Sequence, residues 1–171
     1  MTYNSITTLI GNVVALMPSY YGSPVEYMYG HRAEINQRLI EKDNTPGAVK
    51  YPLVALRLDV EETHEDGIVI YKDLNIAILA NTDENYYAPQ RMVNVFEPIL
   101  YPLYEAFMLA LAASNEFFYS ADDLGRPVHT KVDRFYYGVT EAGLSVESIF
   151  SDPLDAVEIL DLDLKRIIKT C

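Results

Sequence analysis

Between Pro89 and Ala113 apolar residues return every three or four positions: Met92, Val93, Phe96, Ile99, Leu100, Leu103, Phe107, Ala110 and Leu111. That spacing predicts one long amphipathic helix. Such a stripe must be buried against a second surface, and this requirement constrains the fold more than any other feature. The chain just before it supplies the surface. Tyr51 to Val60 and Ile68 to Leu79 both read as strands, with Leu74, Ile76 and Ile78 on one face of the second. In the first, Leu53 and Ala55 alternate with Val54, Leu56 and Leu58, so both faces are apolar and the strand belongs inside a sheet. The two are expected to form a long antiparallel hairpin joined by an acidic connection, Glu61 to Gly67. Pro89 suits the first helical turn. Pro98 and Pro102 each remove an interior N–H and clash one turn back, so a kink, or two helices meeting near Glu97, is expected.

The remaining segments fill in an α+β domain. Ile6, Leu9, Ile10, Val13, Val14 and Met17 fall on one helical stripe, which Ser5 or Asn4 can cap and Pro18 ends. Val25 to Tyr29 reads as a short strand with Val25, Tyr27 and Tyr29 on one face. His31 to Lys42 reads as a second helix on the strength of Ile35 with Leu39 and Glu34 with Arg38. Phe117-Phe118-Tyr119 suits a short strand and Thr130 to Tyr137 a longer one, while Gly138 to Asp155 reads as loop. In the last strand, Ala156 to Ile168, Glu158, Leu160, Leu162 and Leu164 fall on one face and Val157, Ile159, Asp161 and Asp163 on the other. Adjacent hairpin strands preclude strict strand–helix alternation. The expected fold class is therefore α+β: a single domain over residues 1–171, a mixed, mostly antiparallel sheet, and helices packed on one face.

Charge narrows the functional classes. The chain carries 13 basic and 25 acidic residues, a formal charge of -12. This argues against nonspecific nucleic-acid binding and against docking on anionic lipid. The N-terminus has no basic region, and the stretch from Ile6 to Met17 is too short and too polar to span a membrane, so folding in the cytoplasm is expected. The one cysteine, Cys171, allows no intrachain disulfide and no cysteine zinc cluster.

Catalytic signatures are missing. There is no phosphate-binding glycine loop, no nucleophile elbow and no His-Glu-x-x-His. His31, His64 and His129 lie in separate segments. The densest polar cluster is Asp59, Glu61, Glu62, His64, Glu65 and Asp66. It reads first as a solvated hairpin tip. The alternatives are an acidic tip facing a channel and a divalent-cation or acid–base site using Asp59, Glu61, Glu62 and His64. No cofactor is expected. Fourteen tyrosines and no tryptophan make up the other unusual feature. They come in pairs, among them Tyr20-Tyr21, Tyr27 with Tyr29, Tyr86-Tyr87, Tyr101 with Tyr104 and Tyr136-Tyr137. Basic residues do not interleave with them, which disfavours a single-strand stacking platform. Tyrosine is enriched at protein interfaces, and the loop pairs are expected there.

The order of elements resembles that of tail-terminator, or tail-completion, proteins of tailed bacteriophages, most closely the type found in phages of Bacteroidetes. The resemblance is carried by Tyr27-Met28-Tyr29-Gly30-His31 leading into Glu34-Ile35-Asn36. Lys50-Tyr51-Pro52-Leu53-Val54-Ala55-Leu56, the long helix after a hairpin, and the closing Asp155-Ala156-Val157-Glu158-Ile159 add to it. It covers most of the chain and is one of layout. It implies a non-enzymatic virion protein of the tail or neck, assembled in the host cytoplasm. The protein would form a homo-oligomeric ring, usually a hexamer, between the tail tube and the head-connector proteins. DNA would pass through such a ring without specific binding, and an acidic lining suits that passage. The candidate channel or subunit-interface residues are Glu61, Glu62, Glu65, Asp66, Tyr27, Tyr29, Tyr86 and Tyr87.

Overall fold

Five strands in the order β1-β2-β4-β8-β5 form the backbone of a six-stranded sheet in the computed structural model, which describes residues 4–142 and 145–167. They are β1 (Glu26–Gly30), β2 (Leu53–Arg57), β4 (Ile68–Asn81), β8 (Leu154–Ile167) and β5 (Thr130–Arg134). The sixth, β3 (Glu61–Glu65), pairs with the first half of β4. Only β1 and β2 run parallel, joined through helix α2 (Arg32–Asp43); the other pairings are antiparallel. The fold is α+β with a mixed, mostly antiparallel sheet. Cys171 and Ile168 lie outside the described residues.

The expected hairpin is present but longer than its sequence suggested. The strand expected from Tyr51 to Val60 is strand only over β2, Leu53–Arg57, and a further strand, β3, follows it; both pair with β4. The segment expected as an acidic connection is itself strand from Glu61 to Glu65. The reversal is only Asp66-Gly67, with φ of 46° and 79°. Two consecutive positive φ values are what a tight hairpin turn matching strand twist requires, and Asp-Gly is a preferred pair for it.

Alternation along β2 builds two cores. Val54 and Leu56 join Leu74, Ile76 and Ile78 under helix α1 (Ile6–Ala15) and the long helix α3 (Ala88–Ala113). Leu53 and Ala55 face the other way, where Ile35 and Leu39 of α2 pack on them with Met28, Ala77 and Leu79. The sheet therefore carries helix on both faces, not on one. The reason is the parallel β1–α2–β2 crossover, which returns its helix across the sheet surface opposite α1 and α3.

Helix α3 is neither broken nor split at Glu97. Its middle, Met92–Leu100, widens into π geometry, and the Tyr101 N–H reaches the Phe96 carbonyl five residues back. A wider turn absorbs Pro98, which an α turn would reject. Pro102 cannot donate to the Pro98 carbonyl one turn earlier, and the Tyr20 hydroxyl donates to that oxygen instead, at 3.1 Å. By length and composition this helix could cross a membrane, but its stripe of Phe96, Leu100, Leu103 and Phe107 is buried in the core.

Strands β4 and β8 carry reciprocal bulges. Partners step from Tyr71/Leu164 to Leu74/Leu162 and then to Ile76/Ile159, with Asp73 and Asp161 at φ 51° and 55°. The bulges correct the expected faces of β8: Val157, Ile159, Leu162 and Leu164 all enter the core under α1 and α3. The extra residue near Asp161 reverses the alternation, which strict period-two reading cannot register.

The stretch expected as loop after Gly138 holds a hairpin, β6 (Val139–Ala142) with β7 (Ser145–Ser148). Gly138 enters it at φ 81°, and a Cβ added there would lie 2.5 Å from Phe150 Cδ2, a ring stacked on Tyr137. Gly138→Ala is expected to lower unfolding stability by about 2 kcal/mol or more, from left-handed strain plus overpacking. An unchanged urea midpoint would contradict this packing.

Candidate functional site

The acidic cluster is laid out by strand geometry. Along β3, Glu61, Thr63 and Glu65 point to one face and Glu62 and His64 to the other, where they oppose Tyr71 and Val69. Glu61 is exposed and 3.5 Å from Lys72, whereas Glu62 is half-buried and its Oε1 is 2.8 Å from His64 Nε2. Glu65 and Asp66 are exposed at the turn. Alternation thus separates the carboxylates that were grouped as a cation or acid–base site. Among the described residues no group of three or more His, Cys, Asp or Glu is placed to hold a metal ion. Calorimetric titration with calcium, magnesium or manganese is expected to give no saturable heat; binding at micromolar affinity would restore the cation reading.

The candidate tyrosines divide by exposure. Tyr87 is 75% exposed and Tyr21 87%, and both rings are open to a partner. Tyr29 is 42% exposed, with Arg38 5.9 Å from its ring centroid. Tyr27 is half-buried against the core, its hydroxyl donating to the Thr7 carbonyl at 2.7 Å. The Tyr86 carbonyl accepts from Arg91 Nε and from the Tyr136 hydroxyl.

Several hydroxyls are held protonated. Burial pushes the Tyr20 and Tyr101 phenols up to about 12, aided at Tyr20 by Tyr21 and at Tyr101 by a hydrogen bond to Asp133. Burial also raises Tyr27, and it raises Tyr51, which donates to Asp152. The unfolded phenols titrate near 10. Below that pH both states hold the proton and stability is unaffected by these groups. Above it the unfolded chain loses protons that the folded chain keeps, so stability falls as pH rises from about 10 to about 12. Phenolate absorbance should show a late-titrating class; a single transition near 10 for all tyrosines would contradict it.

Two buried charge sites have no counterpart among the predicted residues. In the first, Arg91 and Asp155 are 1% and 0% exposed and 2.7 Å apart. Arg91 also donates to the carbonyls of Tyr86 and Asp83, and Asp155 Oδ1 accepts from the Tyr136 N–H. The guanidinium lies 3.7 Å from the Tyr136 ring centroid. This knot ties the 81–87 loop, the start of α3, the start of β8 and the turn after β5 together.

The second site is Glu158, 2% exposed in its side chain, on the face of the sheet that α2 partly covers. Arg134 Nε donates to its Oε2 at 2.7 Å and Arg32 donates to its Oε1 at 3.2 Å. Arg57 stands 3.9 Å from the same Oε1. The three arginines come from the end of β5, the start of α2 and the end of β2, and Arg32 also lies 5.0 Å from the Tyr137 ring centroid. One buried carboxylate satisfies part of this charge, so two positive charges remain in excess. The sequence signal was a glutamate amid the apolar residues of β8, which nothing in a linear pattern connects to Arg32, Arg57 and Arg134.

Comparison with protein-family models, curated proteins and solved structures finds no match to this chain.

Proposed function

We propose that the protein is a structural assembly protein of a phage tail or neck. It forms a homo-oligomeric ring, a hexamer in the expected arrangement, that caps the tail tube and joins it to the head connector, and it performs no catalysis. The observation that carries this reading is the pair of unlike open edges on the sheet. Among the described residues β1 pairs only with β2 and β3 only with β4 along one edge of the sheet, and β5 pairs only with β8 along the other. Two different edges on one subunit suit a heterologous contact, the type that closes into a ring under rotation. Lys131 and Arg134 on β5 disfavour indiscriminate strand pairing and restrict that edge to a complementary partner. The exposed rings of Tyr21 and Tyr87 add contact area of the kind enriched at interfaces. The overall charge of -12 suits a conduit that does not hold DNA phosphates. Of the residues of the acid–base alternative, Glu62 and His64 stand 2.8 Å apart on one face of β3 and Glu61 lies on the other.

Gene deletion tests the role. The expected result is particles whose tails run to uncontrolled length, since tube growth is no longer stopped. Tails of normal length that fail to join heads would select a connector over a terminator. Normal infectious particles would reject both.

A further inference from the structure

The arginine site around Glu158 has the charge and the access of a receiving socket. Arg32, Arg57 and Arg134 keep 33%, 33% and 49% of their side-chain surface exposed, so a ligand can reach all three. Their hydrogen-bonding capacity is largely unspent. Arg134 meets Glu158 through Nε, Arg57 is beyond hydrogen-bond distance of it, and Arg32 Nε is buried with no hydrogen-bond partner among the described residues. No second carboxylate among the described residues pairs with any of the three. Guanidiniums presented this way match the planar, bidentate geometry of a carboxylate. Gathering three arginines inside a chain of charge -12, on one internal anion, points to a second anion from outside.

We propose that Arg32, Arg57 and Arg134 receive acidic side chains of a second copy of this chain, supplied by Glu65 and Asp66 at the end of the β3–β4 hairpin. This rests on the ring reading and names one of its contacts. The tip is exposed, and among the described residues neither Glu65 nor Asp66 forms an ion pair. The tight Asp66-Gly67 turn fixes the backbone that carries both carboxylates, so only their side chains need ordering on docking. The tip cannot serve its own socket. Ala77 pairs with Glu158, and the ten residues of β4 from Ile68 to Ala77 span roughly 30 Å of strand. Socket and tip are thus two distant, oppositely charged patches on one subunit, the arrangement a heterologous contact uses.

The test uses the full chain and a disulfide-cyclised peptide carrying residues 61–72 as probe, with arginine Nε–H signals followed by NMR. The peptide should shift the Arg32, Arg57 and Arg134 signals saturably. Arg57→Gln in the chain, which leaves both close Glu158 contacts in place, should weaken binding roughly tenfold, as the loss of a charge-assisted hydrogen bond does. A peptide carrying Glu65→Gln and Asp66→Asn should fail to shift the signals, a control that leaves the receptor untouched. Absence of shifts with the native peptide overturns the proposal. So do shifts produced by inorganic phosphate and not by the peptide, which would mark a small-anion site. Peptide docking does not require ring closure, so this result and the deletion phenotype can fail independently.

Discussion

Asp155→Ala is expected to lower unfolding stability by about 3–5 kcal/mol, because it leaves the Arg91 guanidinium charged and buried without its counterion. For a chain of this length that corresponds to a fall in Tm of roughly 10 °C. The Tyr136 N–H loses its acceptor in the same variant, and the turn after β5 should loosen with it. Differential scanning calorimetry reads the first effect and amide hydrogen exchange at Tyr136 the second. Removing Arg91 should be at least as costly, since it frees Asp155 and the carbonyls of Asp83 and Tyr86 together. A Tm unchanged by Asp155→Ala would show that this knot contributes nothing to the fold.

Phe96→Ala and Phe107→Ala should each cost about 3–5 kcal/mol through lost burial and the cavity left behind. Both rings are fully buried on the sheet face under α3. Phe96 also stands 4.5 Å from the Phe135 ring and 5.9 Å from Tyr101, so its removal takes aromatic contacts as well. Leu109→Ala, on the opposite and exposed side of the same helix, should change stability by less than about 0.5 kcal/mol. Equal losses at Phe107 and Leu109 would mean that the buried face has been misassigned.

The elements with a steady hydrophobic period were legible in the sequence. The stripe of α1 is buried as its spacing implies, and so are Phe96, Leu100, Leu103 and Phe107 of α3. What could not be read were departures from period. The bulge at Asp161 inserts a residue into β8 and reverses the faces of Leu162 and Leu164 beyond it, whereas Leu74, Ile76 and Ile78 beyond the bulge at Asp73 keep their expected common face. Proline in mid-helix signals a disturbance but does not distinguish a kink from a π turn. The β3–β4 turn was legible in principle, from Asp-Gly beside Ile68, but the run of charges around it reads as loop. Helix α2 was foreseen, yet its side of the sheet depends on a parallel crossover that a hairpin-dominated pattern conceals. The candidate site shows the same division. The exposure of Tyr87, Glu65 and Asp66 follows from local sequence, whereas Glu158 with Arg32, Arg57 and Arg134 is assembled only by the sheet order.

The central claim is a ring at the head-proximal end of a tail. Electron microscopy of particles carrying a gold-labelled copy of the chain, from the virus or element that encodes it, addresses that claim most directly. The account predicts label at the head-proximal end of the tail tube, arranged as a closed ring around its axis. Label along the length of the tube, or particles that contain none of the chain, would contradict it.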